Sequence, residues 1–400
     1  MAYAVIITAI HAVINIDLAV TICNYYRMNS GDYKKYVWQQ ANWPKWTFDL
    51  AKLSNLLSQV NVERGRLLGS MLALGFKLSE EANLKALASE IVKSSEIEGE
   101  KLNPEAVRSS IARRLGVSDN NPVKSDKNTD GVVEMVLDAT LKYQDPLSEM
   151  RLFGWHAALF PTGYSGMHKI NVAAYRSDAE GSMQVVSGGI GHEKVHYEAP
   201  PADRLKNEMA EFLAWLNSDP DCDPVLKAGL AHLWFVTLHP FEDGNGRLGR
   251  AVCDLTLSRA DGSPQRFYSL SAQMLKERND YYNTLERAQK GDLDATAWLE
   301  WFLGCLLRAV QTANEEIKGM LYLAALSQRA KGGCLNPRQM LMMNVLMYGF
   351  EGKLTTGKWA ALAKCSTDTA LRDIEALVEL GAFKVMRTSK RDSYYVPAWV

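Results

Sequence analysis

Apolar positions recur at helical spacing along most of the chain. Leu50, Leu53, Leu56, Leu57 and Val60 form one stripe, and Pro44 and Asp49 suit the turn before it. Trp38, Trp43, Trp46 and Phe48 lie just upstream. Aromatics of that size are expected to fill a core rather than to face a partner. Leu84, Leu87, Ala88, Ile91 and Val92 mark a helix over 82–97, with Gly99 as its stop. Asn103 and Pro104 then supply the cap and first residue of the next helix. Further helical patterns cover 132–143, 147–159, 202–216, 225–238, 246–259 and 273–327. The 225–238 pattern is apolar almost all round, which predicts a buried central helix. The stretch 163–200 carries the clearest strand signals of the chain. The runs 169–175, 183–186 and 195–197 read as short strands around Ser187, Gly188, Gly189, Ile190 and Gly191, hence a β-hairpin flap.

Two polar stretches, 116–131 and 331–336, are rich in Gly, Pro or Asn and read as boundaries. Beyond the second, helical patterns at 338–348, 356–364 and 368–380 precede strands at 383–388 and 394–396, with Ser366 as a cap and Gly381 as a stop. Helix, turn, helix and hairpin in that order is the pattern of a winged helix. The fold expected is mainly α with one hairpin flap. It divides into an N-terminal helical module (31–115), a core (116–330) and a C-terminal winged-helix domain (335–400).

The 400-residue chain carries a net charge of -1, so no global field draws it to nucleic acid or to an anionic membrane. Its six cysteines are scattered without a CxxC pair. That argues against a zinc site and a disulfide framework and fits a reducing cytoplasm. Residues 1–30 form an atypical apolar extension. Its 2–23 run is long enough to span a bilayer. Asp17 inside that run costs roughly 2.5–3.5 kcal/mol on insertion scales, and no Lys or Arg precedes it, so neither an anchor nor a signal peptide is favoured. Translation beginning at Met28 is an alternative account of the run.

The densest chemistry lies in His239, Pro240, Phe241, Glu242, Asp243, Gly244, Asn245, Gly246, Arg247, Leu248, Gly249 and Arg250. His239 leaves a buried helix with a pKa range suited to general-base work. Gly244 and Gly246 allow positive φ and bring backbone N–H groups close to a ligand at a helix start, which favours anions. Arg247 and Arg250 are three apart, share a helix face and can clamp further phosphate oxygens. Asp243 offers one hard oxygen to Mg²⁺ shared with substrate phosphates. With no Ser or Cys placed as a nucleophile nearby, the nucleophile belongs to a second substrate. Glu98 follows a helix C-terminus, where the helix dipole disfavours its charge and a cation from elsewhere would relieve it.

The stretch HPFEDGNGRLGR resembles the Fic-domain signature HxFx[D/E]GNGRxxR at every fixed position. The resemblance extends from about Trp38 to the C-terminus. It implies a helical bundle with a β-hairpin flap and transfer of AMP from ATP, with Mg²⁺, to a Ser, Thr or Tyr hydroxyl of a target protein. By that resemblance His239 is the general base and Asp243 holds Mg²⁺. Gly244, Asn245 and Gly246 line the anion hole, and Arg247 and Arg250 hold the outer phosphates. The flap would hold the target segment, with Val195, His196 and Tyr197 near the nucleotide. Tyr281, Tyr282 and Gln289 resemble adenosine contacts. Ser94 to Gly99 matches the family's inhibitory pattern [S/T]xxxE[G/N], in which Glu98 pairs with Arg250 and blocks productive ATP binding.

Other readings remain distinct. Relatives that transfer the γ-phosphate carry Lys where Gly246 stands, so Gly246 argues against kinase-like transfer. Removal of AMP, alone or beside its addition, is compatible with Glu98 positioning a water. A DNA-binding regulator would use 335–400, whose hairpin tip carries Arg387, Lys390 and Arg391. Asp368, Asp373, Glu375 and Glu379 against Arg372 on the recognition helix disfavour it. The target could be the chain itself, and a homodimer is compatible with the sequence.

Overall fold

The computed structural model describes residues 35–398 apart from the short segments 74–75, 120, 180, 189–191, 193, 220–221, 330–334, 349, 351 and 388–392. The apolar 1–30 extension, the tip of the flap, and Lys390 and Arg391 therefore lie outside the described residues. Among those described, no helix is long and apolar enough to cross a membrane. The chain divides into two units. One takes in the chain up to Leu68 and Gly75–Val310, the other Gly69–Leu74 and Gln311–Val400.

α1 (Leu50–Ala73), in the first unit as far as Leu68, begins at Asp49, whose carboxylate accepts from the N–H groups of Ala51 and Lys52. α2 (Phe76–Ile97) ends at Gly99, with φ of 85°, where the N–H of Glu100 donates to the carbonyl of Ser95. α3 (Pro104–Leu115) opens on Asn103, which caps it by accepting from the N–H groups of Glu105 and Ala106, with Pro104 first in the helix. α4 (Lys127–Leu141) and α5 (Glu149–Leu159) are capped by Asp126 and Ser148. The strands are short: β1 (Tyr164–Ser165) pairs β2 (His168–Lys169), and β3 (Gln184–Ser187) pairs β4 (Lys194–Glu198), both antiparallel. α6 (Leu205–Asn217), α7 (Pro224–Leu238), α8 (Asn245–Asp261), α9 (Leu270–Lys276), α10 (Arg278–Ala288) and α11 (Thr296–Arg329) follow, α11 belonging to this unit as far as Val310.

Two expectations change here. The 169–175 run forms no strand beyond Lys169; its polar groups bond to a distant loop instead of to a neighbouring strand. The 116–131 stretch does not divide two units. Leu84, Leu87 and Ile91 of α2 share one apolar cluster with Val133 of α4, Phe212 of α6, Phe235 of α7 and Leu248 of α8. Full burial of each such side chain contributes about 1.5–3 kcal/mol, so these helices stand or fall together. The aromatics upstream of α1 do pack inward. Trp43 and Trp46 lie against this cluster, and Trp43 donates its indole N–H to Glu208 at 2.6 Å. The 225–238 pattern is the buried helix α7, in which every residue from Val225 onward is buried.

In the second unit, α12 (Pro337–Tyr348), α13 (Thr356–Leu362) and α14 (Thr367–Glu379) precede an antiparallel hairpin of β5 (Phe383–Arg387) and β6 (Ser393–Pro397). Ser366 caps α14. Trp359, Ile374, Leu377 and Phe383 form this unit's own core.

Candidate functional site

α7 delivers His239. The helix ends at Leu238, and His239 takes the left-handed conformation at φ 47° while its N–H closes the last turn on the carbonyl of Phe235. The ring Nδ1 lies 3.3 Å from the carbonyl of Val236, an acceptor. That assigns the proton to Nδ1 and leaves the Nε2 lone pair free to take another. Burial, and then the charge of Arg176, push the imidazole down to about 4, against the opposing pull of the Val236 carbonyl, Asp243 and Glu98. His239 is therefore neutral at pH 7.

The loop after it is braced from within. Phe241 is fully buried and stacks on His156 at 4.2 Å. The Asn245 amide holds Phe241 twice, accepting from its N–H at 3.0 Å and donating to its carbonyl at 2.8 Å. The expected part of Asn245 in an anion hole thus falls to its backbone, because the side chain is used in folding the loop. Gly244 takes φ 81° immediately before α8, and a Cβ there would meet Phe160 at 2.9 Å. Gly246 lies inside α8 and needs no positive φ, contrary to expectation; what it supplies is space. The first N–H groups of α8 lack helical partners, and Gly244, Asn245 and Gly246 line the small cavity beside the loop. Asp243 accepts from the N–H of Gly244 at 2.6 Å and from the Ser165 hydroxyl.

Glu98 and Arg250 meet in this concavity. Glu98 Oε1 is 2.8 Å from Arg250 Nη2, and Arg250 is 3% exposed. Arg250 also donates to the Ser94 hydroxyl at 2.8 Å and the Ser94 carbonyl at 2.9 Å. A Cβ on Gly246 would lie 2.1 Å from Glu98 Oε1. Glu98 occupies the space that a glycine keeps open at the helix start. Arg247 is paired as well, with Glu100 at 2.6 Å. A cavity of about 30 Å³ remains between Glu98, His239, Asp243, Gly246 and the flap residues Met183 and Gln184.

The remaining expected contacts separate into two groups. Tyr281 and Tyr282 are beside Arg250 and Glu98. Tyr281 is 2% exposed and its hydroxyl meets His232 Nε2 at 2.9 Å, while Tyr282 is 38% exposed under the guanidinium of Arg278. Tyr197 and Gln289 instead belong to the interior. Tyr197 donates to the Thr237 carbonyl at 2.8 Å and packs edge-on to Tyr36. The Gln289 amide donates to the Val236 carbonyl at 3.3 Å. Val195 pairs Val186 across the flap, and His196 bonds Ser187 and Glu286.

Sequence reasoning missed the segment that grips the loop from outside. Asn171 donates to Glu242, His156 reaches the Asp243 carbonyl at 3.3 Å, and Arg176 donates to the carbonyls of His239 and Pro240. The partners are backbone or distant groups, for which no local spacing exists. Among the described residues no group of three or more His, Cys, Asp and Glu gathers as a metal cage. Asp243 alone, open on the cavity side, suits a cation that takes its other ligands from phosphates and water.

The profile of the Fic/DOC family matches residues 146–257, and that of a domain of unknown function (DUF4172) matches 36–117. Protein adenylyltransferase Fic of Culex quinquefasciatus is 30% identical over 161 residues, 39% of this chain and 29% of that protein. Its namesake from Nematostella vectensis is 39% identical over 99 residues, 24% of this chain and 21% of that protein. The chain thus spans less than a third of the length of these relatives. The crystal structure of a Fic family protein from Desulfovibrio desulfuricans G20 superposes with a TM-score of 0.53 at 22% identity, over 88% of this chain and 98% of the other, which is a likeness of fold. The 239–250 loop, all of α7, the start of α8 and the flap beside them lie within the stretch 146–257 that matches the Fic/DOC family.

Proposed function

We propose that the chain transfers AMP from ATP to a hydroxyl of a target protein, and that the conformation described above is its blocked state. The observation that carries this reading is the Glu98 carboxylate beside Arg250 at 2.8 Å, in the anion-binding concavity at the start of α8. With Glu98 withdrawn, the same concavity offers the backbone N–H groups of Asn245 and Gly246 and two guanidiniums, while the N–H of Gly244 stays on Asp243. Such donors fit a polyphosphate. Arg247 and Arg250 would hold the outer phosphates, and Tyr281 and Tyr282 would border the adenosine. Met183 and Gln184 of the flap line the cavity, so an extended target segment added along the flap would bring its hydroxyl to His239. Nε2 of His239 takes the hydroxyl proton as the oxygen bonds the α-phosphorus. The bond from that phosphorus to the bridging oxygen breaks, and pyrophosphate leaves with the electron pair. Asp243 would hold Mg²⁺, which when bound neutralises charge on the phosphates. The target residue class (Ser, Thr or Tyr) follows from this chemistry, since each offers a hydroxyl.

A second reading is supported by the same cavity. Glu98 and His239 both line it, so Glu98 can orient a water that removes AMP from a modified protein. A DNA-binding role for 335–400, read as a winged helix, has less support. Asp373 is turned inward on Arg338 at 2.8 Å, and Asp368, Glu375 and Glu379 remain on α14 to repel phosphate.

Intact mass spectrometry after incubation with ATP and Mg²⁺, with self-modification as readout, tests both enzymatic readings. Glu98→Gly should gain AMP at least about tenfold faster than wild type, as expected when a competing ion pair worth some 1.4 kcal/mol or more is removed. The double variant with His239→Ala should gain none. Equal rates for wild type and Glu98→Gly would remove the blocking role, and no AMP on either would remove the transfer. Loss of AMP from the modified chain on adding wild type would favour the second reading.

A further inference from the structure

The segment 163–176 bonds the motif loop through three residues, Ser165, Asn171 and Arg176, and of these only Arg176 reaches His239. Ser165 bonds Asp243, Asn171 donates its N–H to Glu242 at 3.0 Å, and the N–H of Ala173 meets His156 Nδ1 at 3.1 Å. Arg176 goes further. Its Nε donates to the carbonyl of His239 at 2.8 Å and its backbone N–H to the carbonyl of Pro240 at 2.9 Å. Nη2 donates to the carbonyl of Pro200, just past the flap, and Nη1 to Asp178 at 2.8 Å. Asp178 is tied in turn to the N–H of Ala202 at 2.6 Å. The guanidinium is buried, with its residue 3% exposed. A buried cation is costly to desolvate, and a well-packed apolar side chain is often the more stable choice at such a position. Stability alone therefore gives little reason for an arginine here. His239 itself is strained: a residue with a Cβ in the left-handed region costs roughly 1–2 kcal/mol.

We propose that Arg176 is a positioning residue for the catalytic base: it fixes the left-handed turn at His239 through the carbonyl and sets a positive charge beside the imidazole. This rests on the reading of His239 as the base. Three charged groups act on that ring from the elements around it: Arg176 from the segment after β2, Glu98 from the end of α2, and Asp243 from the loop itself. Arg176 is the one cation among them, and it opposes the two carboxylates. Without it, burial alone would hold the ring neutral against both, and the ring would protonate more readily. The fork geometry matters separately. Nε and Nη2 together join the catalytic loop to the residue that follows the flap, which a single ammonium group cannot do.

The test uses Arg176→Met and Arg176→Lys, each in the full chain with and without Glu98→Gly. His239 is followed by its ring resonances through a pH titration, assigned with His239→Gln, and this readout needs no catalytic activity. In Arg176→Met the His239 titration should move up towards the ordinary histidine value, and kcat for AMP transfer in the Glu98→Gly background should fall at least about tenfold with KM for ATP unchanged. Arg176→Lys keeps the charge, so the titration should stay low while kcat recovers only in part. A folded Arg176→Met with unaltered His239 titration and kcat overturns the assignment. If Arg176→Met does not fold, Arg176→Lys decides, because an unchanged kcat there overturns the role of the fork. If Glu98→Gly transfers no AMP at all, the adenylyltransferase reading fails, and the titration still reports on Arg176 alone.

Discussion

Gly246 shows how much one missing methyl group decides. The nearest atoms to a Cβ there are Oε1 and Cδ of Glu98 at 2.1 and 2.9 Å, followed by Nη1 of Arg250 at 3.3 Å. The backbone at Gly246 is helical, so Ala is acceptable in conformation and gains up to about 1 kcal/mol in helix propensity. The cost of Gly246→Ala therefore comes mainly from Glu98, since the Arg250 contact at 3.3 Å needs only a small shift of a side-chain end. In the wild-type background the substitution should push the carboxylate off Arg250, leave a buried guanidinium poorly paired, and cost about 1–3 kcal/mol. In a Glu98→Gly background the clash partner is absent, and the same substitution should be neutral or slightly stabilising. Urea denaturation of the four chains gives the coupling directly. Additive effects would mean that Glu98 does not sit over Gly246 in solution.

At the scale of elements, α2 brings Glu98 to Arg250 because its polar groups are fastened along its length. Asn83 accepts from the N–H of Arg266 at 2.8 Å, and Glu90 accepts from the Ser269 hydroxyl at 2.8 Å and the Ser271 N–H at 3.0 Å. Arg278 donates to the Ile97 carbonyl at 2.7 Å. A helix held in this way favours release of Arg250 by a swing of the Glu98 side chain over departure of α2. Glu90→Ala leaves two serines and an N–H at the start of α9 without their acceptor, which should cost about 1–3 kcal/mol and speed amide exchange across 84–97. Unchanged exchange in that helix would show that the fastening lies elsewhere. Much of this architecture is legible in the sequence, and the reason is locality. The stop at Gly99, the cap at Asn103 and the spacing of Ser94 and Glu98 depend on neighbours a few residues away, and the 239–250 loop carries its chemistry in twelve consecutive positions. What was not legible depends on partners far along the chain. The β-type run 169–175 suggests a strand, yet Asn171 within it is used by Glu242 of the 239–250 loop. Tyr197 and Gln289 have the chemistry of ligand contacts, and backbone carbonyls 40 and 53 residues away take them. The Asn245 side chain is the local exception: its partner, four residues away, is the backbone of Phe241, which every residue type but proline offers alike.

Across the whole molecule, histidine burial is confined to one of the two units. His156, His232 and His239 are each held down at about 4 by burial, while residues 311–400 contain no histidine. In the unfolded chain these rings take protons near 6.5. Their folded values are lower, so below pH 6.5 the unfolded state binds more protons and the folded state loses stability as pH falls, until the slope from these groups ends near 4. Asp130 and Glu286 act in the next window. Serine and arginine partners hold Asp130 at about 2, and His196 and Lys290 hold Glu286 there, so both favour the folded state above the unfolded carboxyl value and lose that contribution as pH falls from about 4 to 2. All five groups belong to the first unit. Hydrogen exchange followed by mass spectrometry at pH 7, 5.5 and 4.5 should therefore show protection falling in helices α4 to α10 well before it falls in α12 to α14. His156→Gln should flatten the loss between 6.5 and 4. Protection that falls equally in both units, or not at all above pH 4.5, would contradict three neutral buried rings in the native state.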